Sequence, residues 1–485
     1  MSFDYDVIIL GSGPAGFSCA MQSSKFDKSV LMVEANEENL GGTWINAGTV
    51  PSKALREAAK SIQKFHAQFE DERGRKPYER FKMEELLQYK QNILENKNQK
   101  VKNDIIKNEV DTARGWGKIL DNNTVEVSDH FDNTTTYTAE NILISTGSSF
   151  IEPDLFSIND SDILDYRSVL NLTHIPRRLV IVGSGIIGFE FSTIFAALGT
   201  RVTLLADTDE ILPFLDDEIK QEMHRVLGET SIQLHTNVQL QHVSKNKLRT
   251  CTEVGFKTDA DPDRLQVVET EHVLYIGSTK PNTDGIGLEN TDIKINDEGG
   301  IQVDSHFKTS VDNIYAAGDV TGHPAQASVS FVQGRIASTS MFNNQSTKMN
   351  ESIPYGIYSI PEISAIGLTE RDARNQGIDV TVGRAYFNNL TQADINLESD
   401  GLLKLVFRSD DLRLVGVHII GDQSADLVHL GQSVMAHGGT IKYFMEHVLN
   451  YPSYTEAYRV AAFNGLNRVY KAGVKYKKIL ERSQN

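Results

Sequence analysis

The stretch Tyr5-Asp6-Val7-Ile8-Ile9-Leu10-Gly11-Ser12-Gly13-Pro14-Ala15-Gly16 runs from an apolar segment into three glycines spaced Gly-x-Gly-x-x-Gly. The apolar segment predicts a buried strand. The first glycine permits a tight turn, the second lets backbone approach a pyrophosphate, and the third lets the following helix pack on the strand. A helix-like stretch follows to about residue 25. Residues 29–33 read as a second strand, which ends on Glu34, 23 residues after Gly11. A carboxylate at that place can bond ribose hydroxyls. Glycine-rich turns are common between any strand and helix, so the motif alone says little. The flanking strand, helix and acid make it a dinucleotide-binding βαβ unit.

The same grammar recurs downstream. Residues 178–182 predict a strand, Gly183-Ser184-Gly185-Ile186-Ile187-Gly188 the turn, residues 189–198 a helix and residues 202–205 the next strand. The ribose acid is less clean here, because Ala206 stands where it is expected and Asp207 follows. Asp207 reads equally well as a solvent-exposed turn acid. A 2′-phosphate calls for Arg or Lys nearby, but this loop carries Asp207, Asp209 and Glu210. NAD(H) is therefore expected in preference to NADP(H).

Bulk properties bound the rest. A chain of 485 residues is too long for one core and predicts three or four domains. The net charge, 48 − 65 = −17, repels nucleic acid and anionic membrane, so neither is an expected partner. No stretch approaches the roughly 20 apolar residues that span a bilayer. The N-terminus has no basic segment ahead of an apolar one, so a secretory signal is not expected. Cys19 and Cys251 are the only cysteines, which excludes a disulfide framework and fits a reducing, cytoplasmic compartment. No metal site is expected. The charged runs between about 52 and 110 read as solvated helix faces, and residues 471–485 as a frayed tail.

Three further stretches resemble one family in order along almost the whole chain. Gly41-Gly42-Thr43-Trp44-Ile45-Asn46-Ala47-Gly48-Thr49-Val50-Pro51-Ser52-Lys53 is similar to the flavin-side signature of the class I pyridine nucleotide-disulfide oxidoreductases, the group of glutathione reductase and dihydrolipoamide dehydrogenase. Ile314-Tyr315-Ala316-Ala317-Gly318-Asp319 resembles its second FAD motif, and Ile144-Ser145-Thr146-Gly147 its crossover between domains. The resemblance implies an α/β fold. Two Rossmann-like dinucleotide-binding domains, for FAD and NAD(P), precede a C-terminal α+β dimerisation domain. The implied division is FAD-binding over 1–150, NAD(P)-binding over 151–278, the second part of the FAD-binding or central domain over 279–350, and the interface domain over 351–485.

The departures carry the functional reading. The family places two cysteines, with four residues between them, where this chain has Trp44 and Thr49. It carries a His-Pro and a nearby Glu that serve the thiols as acid and base. Here Asn450-Tyr451-Pro452-Ser453-Tyr454-Thr455-Glu456 puts Tyr451 at the histidine and keeps Glu456. A thiol relay needs a thiolate and a base together. Losing both points to another electron route. The soluble pyridine nucleotide transhydrogenases resemble this chain in Thr49 with Pro51 to Lys53, in residues 355–364, and in the run from Asn450 to Arg468. They keep a cysteine at the Trp44 position. This chain also has Ser278-Thr279-Lys280-Pro281-Asn282 where the family has Gly-Arg-x-Pro-Asn.

The resemblance implies that Lys53 lies beside the flavin ring, paired with Glu190, where a lysine stabilises negative charge on reduced flavin and a buried carboxylate orients it. It implies FAD contacts from Gly11, Gly13, Pro14, Ala15, Gly16, Glu34, Gly42, Thr43, Gly48, Thr49, Gly117, Thr146, Gly147, Gly318, Asp319, Gln326 and Ala327. Nicotinamide nucleotide contacts fall to Gly183, Gly185, Ile186, Ile187, Gly188, Glu190 and Asp207. Thr49, Tyr451 and Glu456 join Lys53 and Glu190 as candidate catalytic positions. Thr49 can equally fill the volume of a lost sulfur, and Tyr451 reads equally as an interface aromatic. Trp44 is expected to shield the flavin face opposite the nicotinamide. The expected activity is hydride transfer from NAD(P)H through FAD to NAD(P)+ by a homodimer whose sites are completed across the interface. An NADH dehydrogenase that reduces a quinone-like acceptor or oxygen is the alternative, and an idle nucleotide-binding protein a third reading.

Overall fold

A computed structural model describes residues 3–36, 40–69, 82–158, 161–246, 251–343, 348–350 and 352–483. Its helices, in chain order, are α1 (Pro14–Ser24), α2 (Thr43–Asn46), α3 (Thr49–Gln68), α4 (Met83–Lys107), α5 (Ile186–Ala197), α6 (Asp217–Gly228), α7 (Ala327–Phe342), α8 (Glu370–Asn375), α9 (Thr391–Asn396), α10 (Ser424–Ala436), α11 (Tyr443–Glu446) and α12 (Glu456–Ser483). The architecture is α/β with an α+β C-terminal part, as the sequence predicts.

The first sheet has Tyr5–Leu10 at its centre, parallel to Val30–Glu34 on one side and to Thr134–Ile144 on the other. The far strand Ile314–Ala316 joins it parallel to Thr134–Ile144, so a segment 300 residues downstream closes the unit that the opening strand begins. Val7, Ile8 and Ile9 have no exposed surface because α1 covers one face of the sheet and an antiparallel meander the other. The buried residues of α1 are small: Ala15, Gly16, Cys19, Ala20 and Ser23. That lets α7 approach closely, and Ser23 and Ser338 share a hydrogen bond of 2.8 Å across the contact.

The second sheet is wholly parallel, in the order Ile232–His235, Arg201–Leu205, Arg178–Val182, His272–Tyr275, Ile163–Leu164. Ser148–Phe150 and Thr279–Pro281 pair antiparallel where the chain leaves the first unit and returns. The C-terminal sheet is antiparallel, in the order Tyr355–Ile357, Ile363–Gly367, Leu414–Ile420, Leu402–Arg408, Val380–Tyr386. Helices α10 and α12 bury its core, which includes Phe407, Val417, Phe444 and Tyr458.

One expectation needs correction. Residues 471–483 are not a frayed tail but the continuation of α12, which runs to Ser483. The segment is rich in Lys, has no proline, and extends a helix already nucleated on the sheet, so each added residue gains a hydrogen bond without a new nucleus.

Candidate active site

The two glycine turns have the same construction. Gly11 has a φ of 99°, and a Cβ on Gly16 would lie 2.0 Å from the Gly11 carbonyl oxygen. In the second turn Gly183 has a φ of 140°, and a Cβ on Gly188 would lie 2.5 Å from the Gly183 oxygen. Any side chain at the third glycine would push helix off strand. Gly13 and Gly185 are the N-caps of α1 and α5, and a Cβ on either would meet nothing within 4 Å. Both helix N-termini therefore offer backbone N–H groups to open space, the arrangement that receives phosphate.

A cavity of about 1250 Å³ opens in front of the first turn. Its walls include Gly11, Gly13, Pro14 and Ala15, Glu34, the segment with Gly42, Thr43, Gly48 and Thr49, then Gly117, Thr146, Gly147, Gly318, Asp319 and Ala327. Gly16 lies beneath the turn, and Gln326 is the N-cap of α7. Gly183, Gly185, Ile186, Ile187, Gly188 and Asp207 lie outside this cavity, in the second unit.

Glu34 ends its strand with Oε2 accepting from the Ser12 amide at 3.0 Å and the Ser12 hydroxyl at 2.5 Å. Ser12 Oγ in turn accepts from the Gly41 amide at 3.0 Å, which ties the carboxylate to the start of the 41–53 segment. Asp319 accepts from Ser148 Oγ at 3.2 Å, and burial pushes its carboxyl above the ordinary value. In the second turn, Asp207 Oδ1 accepts from Ser184 Oγ at 2.9 Å.

Helix α3 begins at Thr49, which is exposed to the cavity. One turn on, Lys53 Nζ lies 2.7 Å from Glu190 Oε2, a carboxylate with 6 % of its side chain exposed. Glu190 lies on α5, whose neighbours Phe189, Phe191 and Ile194 are core, so it faces inward as expected. Its other oxygen accepts from the Tyr358 amide at 2.7 Å.

Trp44 lines the cavity and packs edge-on against Phe331, centroids 5.1 Å apart, with Lys97 Nζ 4.8 Å from its own ring centroid. Its Nε1 is buried and has no hydrogen-bond partner among the described residues. Cys19 lies in the core under α1, where burial pushes its thiol up to about 12, and Cys251 is buried in the strand Cys251–Thr258. Both thiols are free, and neither lines the cavity. Tyr451 is 65 % exposed, and its hydroxyl meets Thr391 Oγ1 at 2.8 Å. Glu456 starts α12 and pairs with Arg459 at 2.6 Å. Within one chain, neither reaches the cavity lining.

Residues 5–334 match the family described as pyridine nucleotide-disulphide oxidoreductase, and residues 353–462 match its dimerisation domain. The chain belongs to the pyridine nucleotide-disulphide oxidoreductase family. Within that family it is 36% identical over 473 residues to the soluble pyridine nucleotide transhydrogenase of Pseudomonas aeruginosa (strain LESB58), covering 96% of this chain and 99% of that one. It is also 36% identical over 478 residues to the protein of that name from Azotobacter vinelandii, at the same coverage. Among solved structures it is similar to the HOCl-induced flavoprotein disulfide reductase RclA from Escherichia coli, in the Cu(II) complex, with a TM-score of 0.85 at 24% identity over 95% of this chain and 99% of that one. LpdA from Mycobacterium tuberculosis gives a TM-score of 0.85 at 21% identity over 94% and 98%. These two likenesses concern the fold.

FAD is the flavin of this oxidoreductase family, and the residues present fit it. The cavity has an acid at a strand end, a helix N-terminus free of side chains at Gly13, and a close Gly13–Gly42 contact. A Cβ on Gly42 would lie 3.0 Å from the Gly13 Cα, so that wall of the cradle admits no side chain. Three contributors were not singled out in the sequence. Ser12 sits between two of the glycines, at a position the motif leaves open. Ser148 follows the crossover motif. Tyr358 lies in the 355–364 run that resembles the transhydrogenases, and its part in the site shows only when α5 and the C-terminal sheet meet.

Among the described residues no helix is long and apolar enough to cross a membrane.

Proposed function

We propose that this chain is an FAD-dependent pyridine nucleotide transhydrogenase that works without a thiol relay and prefers NAD(H) to NADP(H). The observation that carries the reading is the Lys53–Glu190 pair, kept one helical turn from Thr49 while both sulfur positions hold Thr49 and Trp44. When bound, FAD supplies a two-electron carrier that takes hydride from one nicotinamide and returns it to another.

The chain's own residues do the rest. The α1 N-terminus and Thr43 hold the pyrophosphate region, Glu34 the adenosine ribose, and Asp319 the ribitol side. Lys53 offers positive charge where reduced flavin gathers negative charge, and Glu190 aims it. The α5 N-terminus receives the nicotinamide dinucleotide's phosphates, and Asp207 accepts from its ribose 2′-hydroxyl. A 2′-phosphate there would meet the acidic loop of Asp207, Asp209 and Glu210, of which Glu210 pairs with Lys220. Trp44 covers the side where a disulfide would enter. The protein acts as a homodimer in the cytoplasm. Tyr451 closes the partner's site from a face that also exposes Val448 and Phe463.

The test is anaerobic. Purified protein loaded with FAD is reduced with NADH or NADPH in turn, and an oxidised NAD analogue is added. The expected result is stoichiometric reduction of the analogue, faster from NADH. Rapid quinone reduction without hydride exchange would reject the transhydrogenase reading in favour of an NADH dehydrogenase.

A further inference from the structure

The Lys53–Glu190 pair joins the first two units, yet both partners are also held by the C-terminal one. Lys53 Nζ stands 4.8 Å from the centroid of the Tyr358 ring. The Tyr358 amide donates to Glu190 Oε1 at 2.7 Å, opposite the oxygen that takes Lys53. One residue thus touches both members of the pair, through its ring and through its backbone.

The loop that carries Tyr358 is fixed on both sides. The Ile360 amide donates to Thr193 Oγ1 at 3.1 Å, one turn along α5 from Glu190. Arg56, one turn along α3 from Lys53 and 2 % exposed, donates to the Ser359 carbonyl at 3.2 Å and pairs with Glu362 at 2.8 Å. The loop is therefore pinned to both helices that carry the pair. A lysine has four rotatable side-chain bonds and, with one carboxylate oxygen as its only anchor, sweeps a wide arc. A second contact from an aromatic face removes most of that freedom, because a cation is drawn to the ring face.

We propose that Tyr358 is a positioning residue for hydride transfer. Its ring and amide hold the Lys53–Glu190 pair in the one orientation that serves the flavin, so the C-terminal domain sets how readily bound FAD is reduced. This rests on the reading of Lys53 as the flavin-side cation. The ring does the work on Lys53, and the hydroxyl is dispensable. The amide contact to Glu190 survives any substitution other than proline, so side-chain variants report on the ring alone.

The experiment compares Tyr358→Leu, Tyr358→Phe and Lys53→Met in the full-length FAD-loaded protein. Three quantities are read: the affinity of apoprotein for FAD, the flavin midpoint potential, and the rate of anaerobic flavin reduction by NADH against NADH concentration. Tyr358→Leu is expected to bind FAD and NADH within about twofold of the parent, yet to lower the midpoint potential and slow the limiting reduction rate roughly three- to tenfold. Tyr358→Phe is expected to match the parent in all three. Lys53→Met is expected to lower the potential at least as far as Tyr358→Leu. If Lys53→Met lowers the potential while Tyr358→Leu does not, the positioning role is overturned and the flavin reading of Lys53 stands. If Lys53→Met leaves the potential unchanged, both fall together. A loss in Tyr358→Phe equal to that in Tyr358→Leu would overturn the role of the ring.

Discussion

Lys404 Nζ lies 2.9 Å from Asp216 Oδ1, and each side chain is 1 % exposed. Asp216 is the N-cap of α6 in the second unit, and Lys404 is on the inner strand Leu402–Arg408 of the C-terminal sheet. The ammonium also meets Glu218 at 2.7 Å and Glu370 at 2.9 Å. Arg384 pairs with Glu218 from the same sheet. One buried cluster therefore fixes the second unit to the C-terminal domain, while Tyr358 touches both Lys53 and Glu190.

Removing one partner of a buried cluster leaves the others desolvated and unpaired, which costs about 3–5 kcal/mol. Lys404→Met is expected to lower the unfolding free energy read from urea titration by that order. Asp410→Asn, which breaks the solvent-exposed pair with Arg408 at 2.6 Å, is expected to leave it nearly unchanged. Equal losses in the two variants would contradict the buried clamp.

His418 faces the same cluster from the strand Leu414–Ile420, with Asp216, Lys404 and Asp372 as its charged surroundings. Burial holds its imidazole below the ordinary 6.5. The folded state thus binds fewer protons than the unfolded one between the folded value and 6.5. Stability is full above 6.5 and falls as pH drops through that window. Denaturant titrations from pH 7.5 down to 5 should show this decline, and His418→Gln should flatten it.

Asp319 carries the opposite sign. Burial raises its carboxyl, so its contribution to stability is full below 3.8 and is lost as pH rises from there through the folded value, and the penalty persists at neutral pH. Asp319→Asn is expected to raise the melting temperature of the apoprotein at pH 7 and to weaken FAD binding. Calorimetry of the apoprotein and an FAD titration check the two halves separately.

On the proposed reading, Asp207 sets nucleotide choice. Like charges a few ångströms apart near a surface repel by about 1–4 kcal/mol. Asp207→Ser is therefore expected to improve kcat/KM for NADPH roughly tenfold or more and to worsen it for NADH. Unchanged ratios would show that Asp207 is only a turn acid held by Ser184.

Trp44 lines the cavity and, on the proposed reading, covers the side where a disulfide would enter. Trp44→Leu is expected to raise electron leak to quinones and oxygen roughly two- to fivefold by opening the site to solvent and solutes. Steady-state oxidase and quinone assays at saturating NADH check it.

The glycine turns, the strands they end and the helices they start were legible from residues 5–34 and 178–205, because each depends on neighbours within a few positions. The absence of a thiol relay was legible too, since two cysteines at Cys19 and Cys251 cannot stand in for positions held by Trp44 and Thr49. Glu190 was placed beside Lys53 by likeness to a family, and the structure brings them together across 137 positions. Tyr358 was only part of a resembling run, and Lys404 and Asp216 carried no signal. Their contacts span 168 and 188 positions. Backbone sterics and turn geometry act locally and leave their mark in the sequence. A charge pair between distant segments forms only when separate cores close on one another, so Tyr358 and Lys404 acquire their roles from the tertiary structure alone.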